Sequence, residues 1–227
     1  MHSVYRDKKI RIAIVGCGRI SKNHILAISQ HGDRAIISAL CDVDESKLFQ
    51  AKKLYLDECK SNHEDIKGIK EYRDFEKMLD LYKRKEVEID LVVLATPSGM
   101  HAKQTIASAQ LGLNICTEKP MATKWEDGLE MVEVCEKFNV KLFVVKQNRF
   151  NKTLQLLKKQ IDDGRFGKLA LITVNVFWQR PQSYYDQDEW RGTWKQDGGA
   201  LMNQASHYVD MISCLLYTSP SPRDNLR

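Results

Sequence analysis

Apolar residues come in short runs separated by polar, helix-period stretches, and the two alternate for most of the chain. Ile12-Ala13-Ile14-Val15 is a buried-type run that stops abruptly at Gly16-Cys17-Gly18-Arg19-Ile20-Ser21. A helical segment follows, with Ile25 and Ile28 three residues apart. Ala35–Cys41 is a second apolar strand, Ser46–Leu56 a helix, and Asp57–Lys70 a polar surface excursion. Asp74–Tyr82 is a short helix whose Phe75, Met78, Leu79 and Tyr82 share one face and belong to the core. Ile89–Ala95, Leu113–Thr117 and Val140–Val145 read as further strands, with Trp125–Phe138 helical between the last two. Strands alternating with helices at this spacing predict an α/β fold with a doubly wound parallel sheet, of Rossmann type, over residues 1–148.

The rhythm changes at Lys146–Asn151. Leu154–Ile161 is an amphipathic helix, Gly164 and Gly167 mark a turn, and Leu169–Trp178 reads as a long strand. Gln179–Asp197 is aromatic and polar, and Gly198-Gly199 opens a helix on which Asn203, His207 and Asp210 form a polar stripe. Residues 149–213 thus read as a partial α+β domain.

The first strand, glycine turn and helix form the front of a dinucleotide-binding unit. Gly16 permits the tight turn, Gly18 lets backbone amides approach a pyrophosphate, and Ser21 is small enough for close helix–strand packing. The helix N-terminus then faces the diphosphate with its positive end. Asp42 closes the second strand 21 residues beyond Ser21, near the ~20 expected of a ribose-binding acid. A carboxylate there repels a 2′-phosphate, and no arginine follows closely, so NAD is the expected cofactor. The bland alternative for Asp42 is a loop or helix-capping aspartate.

Composition adds limits. Charged residues make up 29% and hydrophobic ones 43%, an ordinary globular balance, and no apolar run approaches the ~20 residues of a membrane span. The start of the chain carries charges before its first strand and no apolar leader, which makes a cytoplasmic location the expectation. A net charge of +5 with mixed signs argues against a nucleic-acid surface and suits a small anionic substrate. The six cysteines lack C-x-x-C or Cys/His spacing, so neither a disulfide framework nor a metal site is expected; Cys17, Cys41 and Cys116 read as small hydrophobes.

The pieces VGCGRIS, CD at 41–42, ATPSGMH at 95–101, EKP at 118–120 and GGALMNQASHYVD at 198–210 together resemble the glucose–fructose oxidoreductase/inositol dehydrogenase/rhizopine-catabolism (Gfo/Idh/MocA) family. In that family the EKP lysine and the histidine of the late helix meet at the nicotinamide, and the EKP proline is commonly cis. The resemblance implies Gly16, Gly18, Arg19, Ile20, Asp42, Thr96, Ser98, His101 and Glu118 as cofactor-binding residues and Lys119 and His207 as catalytic ones. VVKQNRFN, NVFWQRPQSYYDQDEWRGTW and DGGALMNQASHYVD narrow it to the branch that oxidises the 3-hydroxyl of UDP-N-acetylglucosaminuronate-type sugars for bacterial surface polysaccharides. Many relatives carry aspartate where this chain has Asn203, which fits the nucleotide-sugar branch. Another sugar or polyol dehydrogenase, or a non-catalytic dinucleotide-binding module, are the alternatives.

For such a reaction His207 is a base that needs little tuning near neutral pH, and a charged Lys119 can stabilise the developing oxyanion. A UDP-sugar acid carries a diphosphate and a carboxylate; Arg149, Arg180 and Arg191 are candidate anion contacts, and Asn148, Asn203 and Gln204 candidate hydroxyl contacts. Residues 214–227, beginning CLLYTSPSPRD, resemble translated sequencing-adaptor read-through and are expected to be non-native. The remaining second domain is short for a covered sheet. The 227-residue polypeptide is therefore expected to bind NAD and to turn over poorly or aggregate; the resemblance implies that residues 149–213 belong to a substrate-binding and oligomerisation domain, with a homo-oligomer formed by the full-length protein.

Overall fold

The computed structural model describes residues 8–61 and 68–216. The chain divides into two compact units, Met1–Val144 and Val145–Arg227, a few residues before the boundary the sequence suggests.

The first unit is a six-stranded sheet, every pairing parallel, built from β1 (Ile10–Val15), β2 (Ala35–Cys41), β3 (Lys70–Tyr72), β4 (Leu91–Leu94), β5 (Asn114–Thr117) and β6 (Leu142–Val144). Their order is β3-β2-β1-β4-β5-β6. This is the dinucleotide-fold order, with its topological switch between β1 and β4. β1 shows why the apolar runs are continuous rather than alternating. Ile12 and Ile14 pack on one face with Ile25, Ile28, Leu48 and Tyr55, while Ala13 and Val15 pack on the other with Met78, Leu79 and Ile115. Both faces are covered by helices, so every β1 position from Ile12 onward is buried. The register slips between Ile12 and Ala13, and the Ile37 N–H is taken up by the Tyr55 hydroxyl at 3.1 Å.

The covering helices are α1 (Ser21–Ser29), α2 (Glu45–Ser61), α3 (Phe75–Lys83), α4 (His101–Ala109) and α5 (Trp125–Lys137). Asp44 accepts from the N–H groups of Ser46 and Lys47 at the start of α2, and Asp74 caps α3 by accepting from Lys77. Two expectations are corrected here. The polar excursion from Asp57 is helical as far as Ser61, because α2 continues past Leu56, and it ends in strand β3 at Lys70–Tyr72. β3 is a three-residue edge strand of polar sequence, so no apolar run announces it.

The second unit holds α6 (Lys152–Asp162), the single turn α7 (Gln182–Tyr185), a π-helical turn over Leu201–Ala205 and α8 (Ser206–Leu216). The strand expected at Leu169–Trp178 does not form. Its residues have strand composition but are paired with nothing among the described residues, and Leu171 and Phe177 stand exposed. A strand requires a neighbour's hydrogen bonds, which side-chain pattern cannot supply. Cys214–Leu216 complete α8, and the remainder of the tail lies outside the described residues. Among the described residues no helix is long and apolar enough to cross a membrane.

Candidate functional site

The carboxyl ends of β1, β2, β4 and β5 converge in the first unit. Gly16, at the end of β1, has φ +90° and donates its N–H to the Cys41 carbonyl at 2.8 Å. A Cβ placed on it would stand 2.6 Å from the Ala95 carbonyl carbon and oxygen and 2.7 Å from the Thr96 nitrogen, all backbone atoms. Glycine is therefore required there twice over, by conformation and by space. Gly18 is different: a Cβ on it would meet nothing within 4 Å. Its carbonyl accepts from the Ser21 hydroxyl at 2.6 Å, fixing the turn into α1. Helix α1 opens with no capping side chain and no acidic residue in its first turn, leaving its positive end for an external anion. Arg19 is exposed and Ile20 half-buried beside it.

Asp42 is neither a helix cap nor a loose loop residue. One carboxylate oxygen accepts from the Cys17 N–H at 2.7 Å and the other from the Asp44 N–H at 2.9 Å, so the glycine turn and the end of β2 are tied through it. Its negative charge and burial together push the Cys17 thiol up to about 12, with burial the larger cause; Cys41 is pushed up to about 12 in the same way. Both are inert thiols, in keeping with their reading as hydrophobes.

His101 is the residue whose placement departs furthest from expectation. It is 1% exposed, so it neither caps a helix at the surface nor offers a nitrogen to a ligand. Its Nδ1 lies 2.9 Å from the Pro120 carbonyl oxygen and its Nε2 2.9 Å from that of Thr96. Burial lowers its pKa against the pull of those two carbonyls, and in the neutral form the ring donates to one of them at a time. His101 thereby ties the loop after β4 to the Glu118-Lys119-Pro120 turn after β5. Thr96 donates its hydroxyl to Gln104 of α4 at 2.6 Å, and Ser98 is buried.

Glu118 is 7% exposed. Burial pushes its carboxyl up, but a 2.9 Å contact with His24 Nε2 of α1, together with the backbone N–H and charge of Lys119, more than offsets that and leaves it below the usual carboxylate range. Its acceptors are thus engaged by the protein itself. Lys119 is half-buried, and its bond to Pro120 is cis. Sequence reasoning assigned no role to His24 or Gln104. The only signal for His24 was its position one turn into the helix after the glycine loop.

The residues present fit a dinucleotide: Gly18 leaves open space ahead of the uncapped α1 N-terminus, and Asp42 places a carboxylate at the end of β2.

In the second unit the candidates separate into paired and unpaired groups. Arg149 makes a two-pronged contact with Asp210 of α8, 2.8 Å from Nε and 2.6 Å from Nη2, and Asn148 is half-buried beside it. Arg191 is held by Asp188 at 2.7 Å and its side chain is 7% exposed. Asn203 is buried and donates to Asp197, whose other oxygen accepts from the Gly192 N–H at 2.9 Å. Its amide is thus an internal brace. Asp197 itself, 3% exposed, went unremarked in the sequence, although it directly precedes the double glycine. Arg180 stacks on Trp178 and Tyr184, with guanidinium carbon to ring centre distances of 3.9 and 4.7 Å, and reaches Gln204 at 3.4 Å. His207 is half-buried in the first turn of α8, directly after the π-helical turn.

Comparison with known proteins places these features in a lineage. Residues 10–146 match the pattern of the oxidoreductase family GFO_IDH_MocA, NAD-binding Rossmann fold, and residues 154–221 match the GFO/IDH/MocA C-terminal domain. The WlbA dehydrogenase of Bordetella pertussis, solved in complex with NADH and UDP-GlcNAcA, is 51% identical with a TM-score of 0.82, over 92% of this chain and 60% of that one. Its counterpart from Chromobacterium violaceum, solved with the same two ligands, is 47% identical with a TM-score of 0.82, over 93% of this chain and 56% of that one. D-apiose dehydrogenase of Paraburkholderia graminis is 31% identical over 70% of this chain and 38% of its own length. The chain thus spans well under two thirds of these relatives. The parallel sheet, the glycine cradle and the match across most of its length show that the chain belongs to the GFO/IDH/MocA oxidoreductase family, with its NAD-binding Rossmann fold.

Proposed function

We propose that this chain serves an NAD-dependent dehydrogenase that oxidises the 3-hydroxyl of a UDP-N-acetylglucosaminuronate-type sugar. The observation that carries the reading is 51% identity, over 92% of the chain, to a dehydrogenase solved with NADH and UDP-GlcNAcA. Curated relatives named as D-apiose or inositol dehydrogenases are 27–31% identical.

Bound NAD supplies the hydride acceptor. The chain's own residues do the rest: the glycine cradle and the α1 N-terminus hold the diphosphate, and Asp42 accepts from ribose hydroxyls and excludes a 2′-phosphate. Removing hydride from a secondary alcohol requires its hydroxyl proton to leave. His207 is the group proposed to take that proton, as an imidazole basic enough near neutral pH. Lys119, as an ammonium, is the group proposed to stabilise a developing oxyanion.

The test is a single-turnover experiment with the chain in excess over NAD, following nicotinamide absorbance on adding UDP-GlcNAcA, with myo-inositol as the comparison. Reduction by the nucleotide sugar alone, abolished in His207→Ala while NADH binding persists, is the expected result. Reduction by myo-inositol instead, or full activity in His207→Ala, would overturn the assignment.

A further inference from the structure

Three arginines of the second unit differ in how their charge is met. Arg149 and Arg191 each have a carboxylate of the chain in their hydrogen-bonding fork, Asp210 and Asp188 respectively. Arg180 has none: among the described residues no carboxylate lies within ion-pair distance of it. Its Nε is buried without an acceptor, and its one polar contact is the neutral Gln204 amide oxygen at a long 3.4 Å. The rings of Trp178 and Tyr184 lie against its guanidinium carbon, and the Nε edge is left with bonding capacity to spare. A half-buried cation with neutral neighbours has lost hydration and regained little, and an arriving anion would supply what is missing.

The surroundings indicate which anion. Gln204, the polar neighbour of Arg180, also donates to the Tyr184 hydroxyl at 3.4 Å, and both of its contacts are long enough to yield. It lies in the π-helical turn Leu201–Ala205, three residues before His207. An anion at Arg180 and Gln204 therefore binds on the same segment that carries the proposed base. In a UDP-sugar acid the carboxylate is carried on the ring being oxidised, whereas the diphosphate lies beyond the anomeric oxygen. A planar carboxylate also matches the in-plane fork of an edge-on guanidinium.

We propose that Arg180 is the residue that selects the sugar carboxylate, bonding it through the guanidinium edge with Gln204 beside it, while Arg191, held by Asp188, packs on the Tyr184 ring at 4.6 Å and Arg149 is structural. This rests on the substrate class assigned above and adds which residue discriminates the acid from its neutral parent.

The experiment is calorimetric titration of the chain with UDP-GlcNAcA, with uncharged UDP-N-acetylglucosamine and with UDP, for the unaltered chain and for Arg180→Met and Arg180→Lys. The unaltered chain is expected to prefer the acid, and Arg180→Met to lower affinity for the acid by about 10- to 100-fold while leaving the neutral sugar within a few-fold. Arg180→Lys keeps the charge without the fork and should give a smaller loss confined to the acid; it decides the matter if the methionine variant does not fold. Equal losses for acid, neutral sugar and UDP would place Arg180 on the diphosphate or in the framework and overturn the inference. An unaltered chain that binds both sugars equally also overturns it but leaves the substrate class standing. One that binds neither overturns both.

Discussion

Gly16 and Gly18 lie two residues apart in one turn, yet the structure gives them separable roles, and alanine at each distinguishes support of the fold from room for the cofactor. In Gly16→Ala the new Cβ meets three backbone atoms at 2.6–2.7 Å, none of which can rotate away, and φ +90° must be held by a residue that disfavours it. The conformation costs about 1–2 kcal/mol and the overpacking about 1–3 kcal/mol, together roughly 2–5 kcal/mol. For a domain of this size each kcal/mol lowers Tm by about 2–4 °C, so a fall of roughly 4–20 °C is expected. In Gly18→Ala the Cβ enters open space at an ordinary φ, so Tm should stay within a few degrees. That space is where a diphosphate would approach, and crowding of about 1–3 kcal/mol there corresponds to a loss of about 5- to 150-fold in NADH affinity. The paired assay is thermal unfolding without nucleotide and NADH fluorescence titration well below Tm. If Gly18→Ala melts as early as Gly16→Ala, or binds NADH unchanged, the division of roles is wrong.

Other expectations concern the ties around the crevice. Asp42→Ala leaves the Cys17 and Asp44 N–H groups without their acceptor, at about 1.5–3 kcal/mol for charge-assisted bonds, and should narrow the preference for NADH over NADPH, measured as the ratio of their Kd values. His101→Leu leaves a buried carbonyl without its ring donor and should destabilise the first unit by about 1–3 kcal/mol in urea unfolding; an unchanged unfolding midpoint would contradict the tie described for it. Asp90 is bonded by the Arg11 guanidinium, which holds its carboxyl below the ordinary 3.8. A carboxyl lowered by folding stabilises above its unfolded value and loses that contribution as pH falls through the folded one, so Tm should drop as pH is taken below about 4, less steeply in Asp90→Asn. Cys17 and Cys41, both raised to about 12 by burial, should resist a thiol reagent at neutral pH in the folded chain and react at once in denaturant.

How much of this the sequence disclosed follows from whether a feature is local. β1, the glycine turn and α1 are written in consecutive residues, and the parallel sheet follows from apolar runs buried on both faces. β3 was invisible because Lys70-Glu71-Tyr72 is a strand only by virtue of β2 beside it. Leu169–Trp178 is the converse case, β-rich in composition but without a partner strand. Side-chain commitments were equally hidden. Arg149, Arg180 and Arg191 look alike as letters, and only folding shows that Asp210 and Asp188 occupy two of them. His101 opens a helix in the sequence, where exposure is the natural expectation; its burial depends on Pro120 nineteen residues later.

The crevice is assembled from side chains that grip backbone across loops. Asp42 joins the end of β2 to the glycine turn, His101 joins the loop after β4 to the turn after β5, and Glu118 joins that same turn to α1 through His24. Each grip lies among the residues proposed to face a dinucleotide, so replacing any of them can abolish cofactor binding without the lost side chain having touched the cofactor. Loss of NADH affinity alone therefore cannot distinguish a contact from a tie. A tie lowers the stability of the nucleotide-free chain, because its carbonyls or amides are left buried and unpaired in the native state whatever is bound. A pure contact leaves the free chain's Tm unchanged and removes only the extra stability that saturating NADH confers through mass action. By that criterion Gly18 should behave as a contact position, His101 as a tie, and Asp42 as both, since its carboxylate holds two amides and still carries the charge that faces a ribose.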